Sequence, residues 1–189
     1  MINTQFFIHW KFRVLILFCF IANAGLAKNY YVSTTGSDTG TGLVASPFKT
    51  IAKAATILSS GDTVFVKGGT YQEKNIIPAN SGTESSMIVF KPQPNTGVVK
   101  VQHPAISSDD NTPIFALNNK NYIWIEGFQF KDFQYGKASV YISNGKGNVL
   151  INNRFENLGN SAVSPFWDGN AVVFVYKSPR NVIRNNYFK

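Results

Sequence analysis

Few side-chain groupings in this chain have types and spacing that could do chemistry. Asp109 and Asp110 are adjacent in "SSDDNTP", and neighbouring carboxylates can bind a cation. Arg154 and Glu156 alternate about Phe155, so on a strand both take the face opposite the phenylalanine. They could pair with each other there or meet a ligand. "PFWDGN" sets Trp167 beside Asp168, the makings of an aromatic platform for a sugar ring. Lys177 and Arg180 flank a turn and could add positive charge. Solvated loops, outward ion pairing and ordinary loop packing compete as readings of the same residues. No phosphate-binding glycine loop or cysteine metal motif is present. Beyond the first 27 residues His103 is the only histidine, so a Ser/His pair or a multi-histidine metal site has no support.

The elements that must position these residues begin after a segment of another kind. "MINTQFFIHWKFRVLILFCFIANAGLAKNYY" has basic Lys11 and Arg13, the apolar run "VLILFCFIA" and then small residues. That is the order of a secretory signal, and the run falls short of the roughly 20 residues that span a bilayer. Cleavage is expected after Ala24 or Ala27. Phe18 precedes Cys19 where lipoprotein processing needs a small residue. Residues 1–27 are therefore expected to be a signal peptide, giving a secreted (extracellular or periplasmic) protein with no membrane association once it is cleaved. Cleavage removes the only cysteine, so the mature chain cannot form an internal disulfide. The formal charge falls from +8 to +6. A modestly basic exported chain suits a polyanion, and without a Lys/Arg run a nucleic-acid partner is not expected.

"YYVS" reads as a strand and "TTGSDTGTG" as a loop. Ser46 and Pro47 read as N-cap and first residue of a helix. Phe48, Ile51, Ala55 and Leu58 follow at helical spacing, which predicts one amphipathic helix over Ser46–Leu58. Only strand-like runs come after it. Three begin on asparagine, at Asn121, Asn148 and Asn181, separated by 27 and 33 residues, each with an aromatic near its end (Phe128, Phe155, Phe188). Strand, tight turn, Asn-marked strand and variable loop describe one rung of a β-solenoid. Asparagine tolerates left-handed corners, and its amide is expected to bond the equivalent amide one rung away. That makes Asn152, Asn153, Asn185 and Asn186 structural, with a ligand role as the alternative. The expected architecture is all-β: a cap over about 29–60 and rungs over about 61–189. The helix should cover the lower end of the stack. At the other end "NNYFK" stops within a rung, which leads to the expectation that further rungs follow in a longer protein.

"YYVSTTGSDTGTG", the "PFKTI" helix start and "GDTVFVKGGTY" resemble the entry segment of right-handed parallel β-helix proteins of the pectate-lyase-like superfamily. "NYIWIEGFQFKDF", "NVLINNRFEN" and "NVIRNNYF" are similar to its asparagine-rich rungs, and the resemblance covers residues 29–189. The order of rungs is similar to that of secreted pectate lyases and of the chondroitinase and alginate lyase group. The resemblance implies a right-handed parallel β-helix and β-elimination on an acidic, uronate-containing polysaccharide by a protein that is monomeric when complete. Such enzymes hold Ca²⁺ with acidic side chains and use Lys or Arg as the base. Asp109 and Asp110 are the cation candidates here. Trp167, Asp168, Arg154, Lys177 and Arg180 are the substrate-binding candidates. No catalytic residue is carried over, because in the family these lie on middle rungs, at or after the point where this sequence ends. The alternative is a non-catalytic extracellular module for glycan binding or adhesion. A β-helix hydrolase or epimerase is a third reading, and a hydrolase would require paired outward carboxylates that the sequence does not present.

Overall fold

The computed structural model describes residues 26–104, 112–131, 138–156 and 172–189. The chain enters on β1 (Asn29–Val32), makes one short helix, α1 (Ile51–Ala55), and then climbs in rungs. The first rung has β2 (Thr63–Val66) and β3 (Gly69–Gln72). The next three have β4 (Ile88–Pro92), β5 (Val99–Gln102) and β6 (Phe115–Asn118), then β7 (Ile123–Glu126), β8 (Gln129–Lys131) and β9 (Val140–Ser143), then β10 (Val149–Ile151), β11 (Arg154–Glu156) and β12 (Val173–Tyr176). The last described strands are β13 (Val182–Arg184) and β14 (Tyr187–Phe188).

Each strand pairs with its equivalents one rung below and above, always in parallel. Three sheets result: β1-β2-β4-β7-β10-β13, β3-β5-β8-β11-β14 and β6-β9-β12. The expected parallel β-helix is therefore the observed fold. Inward residues stack in rows because the side-chain period is two and the register never slips. Val64, Phe90, Ile125 and Leu150 form one such row, all fully buried. Phe130, Phe155 and Phe188 form another, with ring centroids 4.9 and 5.0 Å apart and nearly parallel planes. In β13 and β14 the inward Ile183 and Phe188 are 44% and 51% exposed.

The register corrects the period read from the sequence. Asn148 aligns with Ile123 rather than Asn121, because its Oδ1 accepts the Ile123 N–H at 2.9 Å, 25 residues back. Phe155 accordingly stacks on Phe130 and not at the level of Phe128. The corner amides also bond differently from expectation. Asn152 and Asn185 take the left-handed conformation, φ 57° and 55°. The asparagine after each uses its amide on backbone: Asn153 Oδ1 accepts the Phe128 N–H at 3.0 Å and Asn186 Oδ1 the Asn153 N–H at 2.8 Å, and at the third-to-first corner Asn181 Oδ1 accepts the Asn148 N–H at 2.8 Å. The backbone N–H at a tight corner lacks a ladder partner, and burying it unpaired would cost more than an amide–amide bond returns.

The helix is shorter than expected. Phe48 donates to Tyr31 O and its carbonyl accepts from Ser33, both at 2.9 Å. That edge pairing holds residue 48 extended, so Ser46 cannot cap a helix there. Thr50 is the N-cap, accepting the Lys53 N–H at 3.0 Å. Two carboxylates complete the start. Asp38 accepts the Lys49 and Thr50 N–H groups at 2.9 Å, and the buried Glu73 accepts those of Ile51 and Ala52 at 2.9 and 2.8 Å. The four orphan N–H groups of the helix start are satisfied in this way, those of Thr50, Ile51 and Ala52 by carboxylates from outside the helix and that of Lys53 by the N-cap hydroxyl. Ile51, Ala54 and Ala55 are buried against the lowest rung.

Candidate functional site

The three corners of the solenoid differ in how much chain they carry. From first to second sheet the turns are Lys67–Gly68, Gly127–Phe128, Asn152–Asn153 and Asn185–Asn186, with a longer link only between β4 and β5. From third to first sheet they are 119–122, 144–148 and 177–181. From second to third sheet the links are 103–114, 132–139 and 157–172, long on three consecutive rungs. Above the first rung, whose return link 77–87 is also long, excess chain therefore collects at one corner. The segments containing Asp109–Asp110 and Trp167–Asp168 both start and end there, although these four residues themselves lie outside the described residues.

His103 stands at the base of the first of these segments. It is buried, with Nδ1 3.0 Å from Pro104 O and Nε2 3.0 Å from Thr112 O. The imidazole thus ties together the two stems of the link that carries Asp109 and Asp110, a structural role for the one histidine beyond residue 27.

The two sheets flanking this corner present different chemistry. On the second sheet Lys100, Gln129, Arg154 and Tyr187 form one outward row. Arg154 pairs with Glu156, whose other oxygen accepts from Gln129 Nε2. The guanidinium also lies 4.2 Å from the Tyr187 ring centroid. The Arg154 hydrogen bond holds the Glu156 carboxyl below its ordinary range, and the same bond raises the guanidinium. The outward ion pair is thus what the structure places at Arg154–Glu156, and its charge is largely answered within the sheet.

On the third sheet the outward residues are aromatic. Tyr141 and Phe174 are register partners with ring centroids 5.0 Å apart and planes 6° from parallel. Tyr176, on the same strand as Phe174, lies 6.4 Å from it and is 49% exposed. Lys177, at φ 47° in the following turn, sets its Nζ 5.2 Å over the Tyr176 ring. Arg180 sits further along that turn, also left-handed at φ 60°. Below this row Ser143 Oγ donates to Asn118 Oδ1 at 2.9 Å.

The structure therefore groups Lys177 with an aromatic row, places Arg180 beside it, and puts Arg154 on a different sheet. Tyr141, Phe174 and Tyr176 are absent from the sequence-based candidates. Their signal was available: in "VYIS" and "VFVY" the valines alternate inward, which leaves Tyr141 and Phe174 outward and in register. Among the described residues no group of three or more His, Cys, Asp or Glu side chains could hold a metal ion. The described residues thus offer no cluster that fits Ca²⁺.

The described chain combines parallel three-sheet rungs, asparagine corners and one loop-bearing corner, and residues 30–183 match the model of the Pel9A-like, right-handed β-helix region. The chain belongs to the Pel9A-like β-helix family. Among curated relatives of this family member, the uncharacterized protein YwoF of Bacillus subtilis is 29% identical over 132 residues, 67% of this chain and 28% of that one. Pectate lyase PEL9 of Emericella nidulans is 33% identical over 84 residues, 44% of this chain and 20% of that one. The Pel9A-like chain thus spans less than a third of either relative. Among solved structures, a rhamnogalacturonan lyase superimposes with TM-score 0.56 at 16% identity, over 80% of this chain and 51% of that one. The GH136 lacto-N-biosidase of Eubacterium ramulus does so with TM-score 0.54 at 16% identity, over 70% and 26%. At such identities these likenesses speak to the fold alone.

Proposed function

We propose that this chain is part of an exported, polysaccharide-active β-helix protein that cleaves a uronate-containing glycan by β-elimination. The observation that carries the reading is the aromatic row Tyr141–Phe174–Tyr176 on the third sheet, which leads from the side where the long links enter to Lys177 at the opposite, third-to-first corner. Membership of the Pel9A-like family and the kinship with a pectate lyase support the glycan class. Elimination takes the proton on C5, alpha to the uronate carboxylate, and expels the O4-linked sugar to leave a C4–C5 double bond. Pyranose faces stack on Tyr176 and its neighbours, while the Lys177 ammonium pairs with a carboxylate. Export rests on the basic, apolar and small-residue order of residues 1–27.

A second reading is glycan binding without cleavage. Its support is the Arg154–Glu156 pair, which ties up a basic group that cleavage could use. One experiment separates the two: the full chain is incubated with polygalacturonate and ultraviolet absorbance of an unsaturated product is followed, with binding measured in parallel. Absorbance growth supports elimination. Affinity without product supports the binding module, and neither result overturns both.

A further inference from the structure

The outer face of the first sheet carries a grouping that the loop-bearing corner does not use. Tyr31, Phe65 and Lys91 are register partners on three consecutive rungs, and alternation with the buried Val64, Val66 and Phe90 turns Phe65 and Lys91 outward. The Tyr31 and Phe65 rings stack at 5.5 Å with planes 20° apart. Lys91 Nζ lies 5.1 Å from the Phe65 centroid and makes no ion pair among the described residues. On the next rung Glu126 is already engaged, accepting from Trp124 Nε1 at 3.0 Å and Asn152 Nδ2 at 3.4 Å. The row runs on through Ile151 to the exposed Arg184, which also lacks an ion pair among the described residues. Tyr31, Phe65, Lys91 and Trp124 are all half-buried.

We propose that this row is a glycan-binding strip, distinct from the corner, for an anionic polysaccharide chain lying along the solenoid axis. Rungs are about 4.8 Å apart, so the strip offers one side chain per rung in a line: two rings, then an unanswered ammonium. Both faces of the Phe65 ring are taken, by Tyr31 and by Lys91, so a sugar meets the outer edges of the rings while its carboxylate pairs with the Lys91 ammonium. The charge decides the ligand. The row holds two cations without an ion pair among the described residues, Lys91 and Arg184, against one carboxylate, Glu126, so its net charge is positive and an anionic chain is preferred to a neutral one. The row is one side chain wide, which fits a single extended chain rather than a protein face. Only the uronate identity of the ligand rests on the proposed function; the strip does not.

The test uses the full chain in electrophoresis through gels containing polygalacturonate or neutral galactan, with release of unsaturated product measured separately on short oligogalacturonates. Lys91→Gln is expected to weaken retention by polygalacturonate about tenfold. Lys91→Arg should restore it, and cleavage of the short oligomers should not change. Equal retention of wild type and Lys91→Gln overturns the strip, as does absence of wild-type retention or equal retention by the neutral glycan. Lys91-dependent retention without unsaturated product keeps the strip and sinks the elimination reading. Tyr31→Leu should also lower retention. If it lowers the melting temperature as well, the Lys91 pair decides.

Discussion

Asn153 Oδ1 accepts the backbone N–H of Phe128, one rung below, at 3.0 Å. The same amide donates from Nδ2 to Ile125 O at 2.9 Å, and the side chain is 1% exposed. One residue thus satisfies a donor and an acceptor that the two-residue corner would otherwise bury unpaired. Asn153→Ala should lower unfolding free energy by roughly 2–3 kcal/mol, read as a lower urea midpoint at unchanged slope. Asn153→Asp keeps the acceptor but loses the donor and buries a charge, so it should cost at least as much. A change below about 0.5 kcal/mol would mean that water replaces the amide.

Glu73 makes stability depend on pH. Burial pushes its carboxyl above the ordinary value, against the lowering effect of the Ile51 and Ala52 N–H donors, while Asp38 adds to the rise. The folded chain therefore holds this proton more tightly than the unfolded one. That contribution is fully present below the ordinary carboxylate range, about 4.3, and is lost as pH rises through the folded value. Wild type should lose stability relative to Glu73→Gln as pH is raised from about 4, and urea midpoints of both proteins across that range check it. Parallel pH profiles would rule the idea out.

Ser139 Oγ is fully buried and has no hydrogen-bond partner among the described residues. Removing an orphaned hydroxyl recovers its desolvation cost, whereas removing a paired one loses a bond. Ser139→Ala should therefore be neutral or raise stability by up to about 1 kcal/mol, measured by thermal or urea unfolding. A clear loss would show that the hydroxyl is satisfied in solution.

At the third sheet, Lys177→Asn removes the ammonium while tolerating the left-handed turn at φ 47°. It should weaken polygalacturonate binding about three- to tenfold with the melting temperature unchanged. Tyr176→Ala, at a half-exposed ring, should weaken binding by a similar factor, since a stacked ring contributes about 1 kcal/mol. Gel retention reads both. Unaltered binding in the two variants would remove this row from the site.

Much of the fold was legible because solenoid rules are local. Alternating Val, Ile and Phe, asparagine at tight corners and recurrence along the chain all follow from a rung that pairs only with its neighbours. The errors also have local causes. Ser46–Pro47 carries good helix-start chemistry, but the edge of β1 takes the backbone of Phe48 first. Asn121 looks like the repeat mark of Asn148, yet it sits two residues early because the Ile123 N–H, not a residue type, sets the register. Of the candidate site, Lys177 and Arg180 lie beside the aromatic row, Arg154 is paired on another sheet, and Asp109, Asp110, Trp167 and Asp168 fall outside the described residues.

The sequence by itself determined the fold class, the asparagine corners and the outward placement of Arg154 and Glu156, since each depends on a period of two or on one residue's backbone preference. Only the tertiary structure decided which residues share a row. Rows run across strands 25 to 35 residues apart, and their alignment follows from hydrogen bonds between rungs. The stacking of Tyr141 on Phe174, the line from Tyr31 through Phe65 to Lys91, and the collection of every long link between second and third sheet at one corner are consequences of that pairing.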